Sequence, residues 1–162
     1  MKVLVDIDGT LCEFRRFGKM LLNTCPLSGL GVTYPNNKLK RVISYIFSWA
    51  YGWIRVPNKK IIKEIRNLAQ EGYTIFIFSA VPDIKRQRKA IEKWLRKNRI
   101  PFKGIFLMKR DEKPAEFKLR VIKEIKPGVI YEDNYLLLEE ISKTEKISEI
   151  FPPGTEIIIR IP

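Results

Sequence analysis

Short apolar runs alternate with amphipathic segments along this chain, and this alternation restricts its fold more than any other feature. The apolar runs predicted as strands are 3–7, 74–78, 104–108, 128–131 and 155–161. The segments with helical periodicity are 59–70, 84–99, 115–125 and about 135–142, with Asp83 as the predicted N-cap of the second. Strands and helices that alternate at this spacing form a parallel sheet with helices on both faces. We therefore predict an α/β fold, doubly wound and Rossmann-like, which binds ligands beyond the carboxyl ends of its strands.

One region, residues 14–57, does not follow the alternation and separates the first strand from the first helix. It contains glycines, prolines and an aromatic stretch over 42–53 that is too short to span a membrane. An insertion of this size is typical of a lid or binding element. We predict a single domain over 1–162 with a small cap at about 14–57. The alternative is a helix that lies on a membrane surface or packs on a partner.

The composition excludes several kinds of chemistry. The chain has no histidine, which removes Ser-His-Asp triads, the usual zinc sites and imidazole acid–base catalysis. Cys12 and Cys25 lack the spacing of a metal site and are predicted to be reduced thiols in a cytoplasmic protein. Any catalysis must therefore use carboxylates, lysine, arginine or hydroxyl groups.

The chain is strongly basic, with 31 Lys and Arg residues against 18 acids and a net charge of +13. An excess of this size indicates an anionic partner, and nucleic acid is the first candidate. The alternative is a lysine-rich surface that keeps the protein in solution, as in some thermophiles. Charge alone does not choose between them.

Two acids, Asp6 and Asp8, close the first predicted strand. Because side chains alternate along a strand, both carboxylates point to the same side. Gly9 follows and permits a sharp turn and close approach of a ligand to the backbone. Two neighbouring buried acids are costly unless a cation or a reaction uses them, although acids that merely cap a turn are the alternative.

Four segments resemble, in order, the motifs of the haloacid dehalogenase (HAD) superfamily. Residues 3–11, Val-Leu-Val-Asp-Ile-Asp-Gly-Thr-Leu, resemble the first motif, an apolar strand followed by Asp-x-Asp-Gly-Thr. Residues 75–79, an apolar strand that ends in serine, resemble the second. Lys118 resembles the third, and residues 130–134, with an acidic pair after a strand, resemble the fourth. This resemblance implies a phosphatase of the HAD type, a phosphoric monoester hydrolase.

The resemblance also implies roles for the acids. Asp6 would attack phosphorus and form an aspartyl-phosphate, and Asp8 would act as general acid and then general base. Mg²⁺ would be held by Asp6, by the backbone carbonyl of Asp8 and by Asp133, since this ion prefers oxygen ligands. Glu132 would not bind the metal itself but would orient a water molecule bound to it.

The same resemblance implies a set of groups that bind the phosphoryl oxygens. Ser79, Thr10 and Lys118 would hold these oxygens and offset their charge. Lys113 competes with Lys118 for the lysine role. Taken singly, each residue also has an ordinary structural explanation, such as a hydroxyl at a strand end or a solvated surface lysine.

Several segments narrow the substrate through a second resemblance. Residues 79–83, 93–95, 100–102 and 106–111 resemble the phosphatase domain of polynucleotide kinase-phosphatase, which removes 3′-phosphates from nucleic-acid ends. That family has Ser-Gly-Arg where this chain has Ser-Ala-Val at 79–81, so a phosphate-contacting arginine is missing there. The first motif is equally similar to that of nucleotidases in the superfamily.

The predicted helix over 84–99 is basic on its outer face, which would follow a phosphate backbone. The cations on this face are Lys85, Arg86, Lys89, Lys93, Arg96 and Lys97. Lys38, Lys40, Arg41 and Arg55 lie near the aromatic residues of the insertion, which could stack on bases. Substrates from nucleic-acid 3′-ends to nucleotides and sugar phosphates stay open, as do a homodimer and a non-catalytic module that only binds nucleic acid.

Overall fold

The computed structural model describes residues 1–14, 51–133, 154 and 156–159. The predicted helix over 135–142 and the aromatic stretch up to residue 50 lie outside these ranges. No helix in the described ranges is long and apolar enough to cross a membrane.

A five-stranded parallel sheet forms the centre of the described structure. Its strands are β1 (Lys2–Asp6), β4 (Thr74–Pro82), β5 (Gly104–Met108), β6 (Val129–Glu132) and β7 (Glu156–Ile159), in the order β5-β4-β1-β6-β7. Each neighbouring pair is parallel. The predicted parallel α/β sheet is therefore confirmed, and β1 lies at its centre, between β4 and β6.

Within residues 51–133, three helices cover the sheet: α1 (Lys59–Gln70), α2 (Lys85–Lys97) and α3 (Pro114–Ile125). The side chain of Asn58 caps α1 by accepting a 3.3 Å hydrogen bond from the backbone amide of Ile61. Successive residues of β1 point to opposite faces of the sheet and so enter two different cores. Val3, Val5 and Ile7 pack with α1 and α2, whereas Leu4 packs with α3. Helices on both faces are thus confirmed.

The second predicted strand and second predicted helix differ from their observed forms. β4 continues past Phe78 to Pro82, with an irregularity between Ser79 and Pro82 before Pro82 pairs with Met108. Because a bulge interrupts the alternation of side chains along a strand, the apolar pattern stops at Phe78 and the predicted strand was too short. Asp83 as an N-cap was wrong: the cap is Ile84, and the Asp83 carboxylate instead accepts hydrogen bonds of 3.0 and 2.7 Å from Arg88.

The ends of the insertion form a small antiparallel ribbon that the sequence did not predict. Strand β2 (Cys12–Phe14) pairs with β3 (Arg55–Pro57), and residues 51–54 just before β3 are helical. Strands of three residues are too short to show an alternating pattern. The amide of Asn58 then donates a 2.8 Å hydrogen bond to the carbonyl of Leu11. This ribbon places β3, and Arg55 with it, beside the loop that carries Asp8.

Candidate active site

The carboxyl end of β1 carries the first acidic pair. Asp6 is the last residue of β1 and is 4% exposed, whereas the side chain of Asp8 is 25% exposed. Between Ile7 and Cys12 the chain forms a tight loop, in which the Gly9 amide donates a 2.8 Å hydrogen bond to the Cys12 carbonyl. The loop brings the two acids to the edge where α/β folds bind ligands.

Gly9 lies directly against Asp133, which follows the neighbouring strand β6. The backbone φ of Gly9 is +89°, and a Cβ built there would lie 1.7 Å from Asp133 Oδ2. Glycine is therefore required both by the backbone conformation and by the approach of the Asp133 carboxylate. The absence of this one side chain allows the first and fourth motifs to meet.

Lys118 projects from α3 into the acidic cluster and is itself buried. Its Nζ lies 3.2 Å from Asp6 Oδ1 and donates a 2.6 Å hydrogen bond to Glu132 Oε2. The side chains of Lys118, Asp6 and Glu132 are 7%, 5% and 1% exposed. Because one buried ammonium serves two buried carboxylates, the three groups depend on each other for charge balance.

The pKa shifts of Asp6 and Lys118 follow from their burial and from their pairing with Glu132 and with each other. Burial raises the pKa of Asp6 well above its usual value; Lys118 opposes the rise, and Glu132 adds to it. Burial alone would lower the pKa of Lys118, but Asp6 and Glu132 outweigh burial and raise it, so the ammonium keeps its charge. The cluster contains more carboxyl groups than its single cation can balance if all of them are ionised.

Asp133 completes a group of acids that could hold a metal ion. One ligand oxygen from each of Asp6, Glu132 and Asp133 lies within 4.8 Å of the others. Burial, together with the charge of Glu132, raises the pKa of Asp133 to about 6. Carboxylate oxygens gathered this closely form the donor set that suits Mg²⁺. The residues therefore fit the predicted ion. Asp6 and Asp133 would bind it, whereas the Glu132 carboxylate also accepts a hydrogen bond from Lys118.

Arg55 is a site residue that the sequence did not assign. Its Nε and Nη2 donate hydrogen bonds of 2.6 and 3.0 Å to the two carboxylate oxygens of Asp8. Its guanidinium lies over the ring of Tyr51, 3.6 Å from the centroid. Burial alone would lower the pKa of Arg55, but Asp8 outweighs burial and raises it, so the guanidinium keeps its charge. The only sequence signal was a cation beside the aromatic stretch, which pointed to base stacking instead.

The predicted phosphate-binding residues occupy different positions. Lys118 lies beside Asp6, whereas its rival Lys113 is an exposed residue at the N-terminus of α3. Ser79 is 2% exposed and directly follows Phe78, which pairs with Asp6 in the sheet. Thr10 is fully buried, and its carbonyl accepts a 3.3 Å hydrogen bond from Asn58 Nδ2. Their contacts with phosphate stay predictions.

Solved structures with a fold similar to that of this chain include phosphatases and HAD-family enzymes. No protein-family model and no curated protein sequence matches the chain. Among solved structures, a chain of the Pnkp1/Rnl/Hen1 RNA repair complex matches with a TM-score of 0.60 and 14% identity over 98% of this chain. The class C acid phosphatase from Bacillus anthracis with tungstate bound matches with a TM-score of 0.56 and 17% identity over 98% of this chain.

A third similar structure is a magnesium complex. The magnesium complex of the HAD-family enzyme bt-2542 from Bacteroides thetaiotaomicron matches with a TM-score of 0.56 and 15% identity, covering 98% of this chain and 92% of that one. The present chain spans only 42% of the RNA-repair chain and 65% of the acid phosphatase. At these identities the likeness establishes the fold, and this chain therefore has the α/β fold shared by HAD-family enzymes.

Proposed function

We propose that this chain is a magnesium-dependent phosphatase that hydrolyses a phosphate monoester through an aspartyl-phosphate on Asp6. The observation that carries the proposal is the buried Asp6–Lys118–Glu132 arrangement at the carboxyl end of the central strand, with Asp133 against Gly9. A buried cluster with more acids than cations costs stability unless a ligand or a reaction uses it.

In the first step, a carboxylate oxygen of Asp6 attacks phosphorus and the bond from phosphorus to the leaving alcohol breaks. The leaving oxygen takes a proton from Asp8, which must enter the step protonated. In the second step, Asp8 removes a proton from water as the water oxygen attacks the phosphorus of the aspartyl-phosphate. This releases inorganic phosphate and restores Asp6 and protonated Asp8, so atoms and protons balance.

The buried lysine has two functions in this scheme. It holds the Asp6 carboxylate in one position and offsets negative charge at the phosphoryl oxygens. Glu132 fixes the ammonium through its 2.6 Å hydrogen bond and so acts on the reaction through Lys118. Asp6, Asp133 and the backbone carbonyl of Asp8 would hold Mg²⁺, which supplies charge stabilisation of the phosphoryl group when bound. Ser79 and Thr10 remain proposed contacts to the phosphoryl oxygens.

The proposed substrate is a nucleotide or a nucleic-acid 3′-end. Two observations support it: the outer face of α2 exposes the six predicted cations, and one of the similar structures is described as an RNA repair complex. Exposed cations along one helix follow phosphate groups well. Arg55 contacts Asp8, the proposed general acid, and could supply the arginine that the sequence lacks at 79–81.

The proposal is tested by phosphate release from a panel of small phosphate esters and a 3′-phosphorylated oligonucleotide, with Mg²⁺ and with chelator. Phosphate release is expected in the presence of Mg²⁺ and not in the presence of chelator. The rate of release is expected to fall at least 10³-fold in Asp6→Asn. Asp111→Asn is the matched control, because it removes a carboxylate whose side chain is 83% exposed. A folded, Mg²⁺-loaded sample with no release across the panel would contradict the proposal and leave a module that only binds nucleic acid.

A further inference from the structure

A basic groove lies outside the acidic cluster, between the start of α1 and the end of α2. It consists of two adjoining cavities of about 400 and 210 Å³. Pro57, Lys97 and Asn98 line both cavities, which makes them parts of one groove. The first is continued by Lys59, Arg66 and Arg99, and the second by Arg55.

The charges of the groove are all of one sign. Its ionisable lining residues are Arg55, Lys59, Arg66, Lys97 and Arg99, and none of the described residues that line it is acidic. Lys59, Lys97 and Arg99 are exposed at the surface. Cations gathered in a concave surface focus a positive potential, which attracts an anionic ligand and raises its local concentration.

The groove is held together by hydrogen bonds between its walls. The Arg66 guanidinium donates hydrogen bonds of 2.5 and 3.0 Å to the backbone carbonyls of Asn98 and Arg99. These hydrogen bonds connect α1 to the residues that follow α2. They hold the backbone at Asn98 and Arg99 in place, directly after Lys97. A groove formed before binding loses less entropy when a ligand enters.

One residue that lines the groove, Arg55, also contacts the proposed site of the reaction. Arg55 lines its second cavity and binds both oxygens of Asp8, the proposed acid that protonates the leaving oxygen. The part of the substrate attached to that oxygen must therefore pass Asp8 and Arg55. Beyond Arg55, the groove offers Lys97 and then Arg99.

We infer that the basic groove binds the strand of a single-stranded nucleic acid whose terminal phosphate is at Asp6. The inference rests on the proposed function, and it makes the phosphodiester groups next to the cleaved phosphate the ligands of Lys97 and Arg99. Trp53, whose neighbour Gly52 lines the second cavity, is 59% exposed and offers a surface on which a base can stack. A chain of phosphates with bases fits both the cations and this ring, whereas an acidic peptide uses only the cations.

The test compares Lys97→Ala/Arg99→Ala with Lys123→Ala/Lys126→Ala. The two pairs are matched: each removes a cation near a helix end and an exposed cation with left-handed backbone, at φ +50° for Arg99 and +49° for Lys126. For each variant, kcat/KM is measured for 3′-phosphorylated oligonucleotides of increasing length and for an aryl phosphate.

In the groove variant, the ratio of the oligonucleotide kcat/KM to the aryl-phosphate kcat/KM is expected to fall about 10-fold, and the control is expected to keep the wild-type ratio. The salt dependence of oligonucleotide binding, measured on Asp6→Asn protein by fluorescence anisotropy, should become shallower by about 1.4 in log–log slope for two lost contacts. Equal ratios in the two variants, or a rate that does not depend on oligonucleotide length, would overturn the inference.

Two further results separate the groove from the reaction. If polyglutamate displaces the oligonucleotide as well as unlabelled oligonucleotide does, the groove is a general polyanion surface and the inference is wrong. If the wild type releases no phosphate from any ester, the proposed function fails; loss of anisotropy only in the groove variant would still support strand binding.

Discussion

Replacement of Lys118 by methionine tests the charge balance of the buried cluster. At separations of 3.2 Å to Asp6 and 2.6 Å to Glu132, Coulomb attraction with an effective dielectric constant of about 20 amounts to roughly 5 and 6 kcal/mol. Much of this offsets the cost of removing the charges from water. Loss of one partner from a buried ionic cluster therefore costs about 3–5 kcal/mol, a large part of the stability of a small domain.

The assay is urea unfolding at pH 7 in the presence of chelator. With a typical slope of about 2 kcal/mol per molar urea, the midpoint of Lys118→Met should fall by about 1.5–2.5 M. Lys113→Met is the control, because this lysine at the N-cap of the same helix is exposed and its loss should change stability by less than about 0.5 kcal/mol. In Lys118→Met/Glu132→Gln, which removes one of the two stranded charges, the loss should be smaller than in Lys118→Met alone. Equal midpoints for Lys118→Met and Lys113→Met would refute the reasoning.

Three further predictions concern Asp133, Gly9 and Arg55. Because burial and Glu132 raise the pKa of Asp133 from 3.8 to about 6, the native metal-free protein binds this proton more tightly than the unfolded chain. Its stability should therefore fall as pH rises from about 4 to about 6, and Asp133 should account for about 1 kcal/mol of the fall after allowance for solvent screening. In urea titrations Asp133→Asn should reduce the fall by that amount, and the remainder comes from Asp6, whose pKa is also raised. Gly9→Ala and Gly72→Ala both place alanine at a positive φ, but the new Cβ would collide with Asp133 only at Gly9, since nothing lies within 4 Å of a Cβ at Gly72. Mg²⁺ at 100 times its Kd should raise the free energy of unfolding by about 2.7 kcal/mol in thermal unfolding. This stabilisation should persist in Gly72→Ala and largely disappear in Gly9→Ala. Arg55→Ala should lower kcat/KM about 100-fold through misplacement of Asp8, and Arg55→Lys should restore only part of it because lysine cannot bind both oxygens; activity of Arg55→Ala within twofold of wild type would contradict this role.

The sequence was sufficient to predict which strand ends carry the acids. β4, β1 and β6 are neighbours in a parallel sheet. Asp6 at the end of β1, Ser79 in the last part of β4 and Asp133 just after β6 therefore lie toward the same edge. Their approximate grouping follows from the strand alternation and the motif order. The sheet and helix positions were predicted for the same reason, since long apolar runs and periodic segments dominate these elements.

Contacts made by single polar side chains were beyond the sequence pattern. Lys118 lies on the buried face of α3 beside Phe117 and Val121, but apolar periodicity says nothing about a lysine on that face. The Arg55–Asp8 pair joins residues 47 positions apart through a ribbon of two three-residue strands. Such contacts depend on how the insertion returns to the domain, which no local pattern encodes.

The most direct test of the account is to trap the phosphoryl group on Asp6. Enzyme with Mg²⁺ is mixed with excess aryl phosphate, quenched in acid within the first turnovers, and digested for peptide mass spectrometry. The account predicts one added phosphoryl group on the peptide that contains Asp6, lost in Asp6→Asn and retained in Asp111→Asn. Steady turnover with no phosphorylated Asp6 peptide, or with the phosphoryl group on another residue, would contradict Asp6 as the nucleophile.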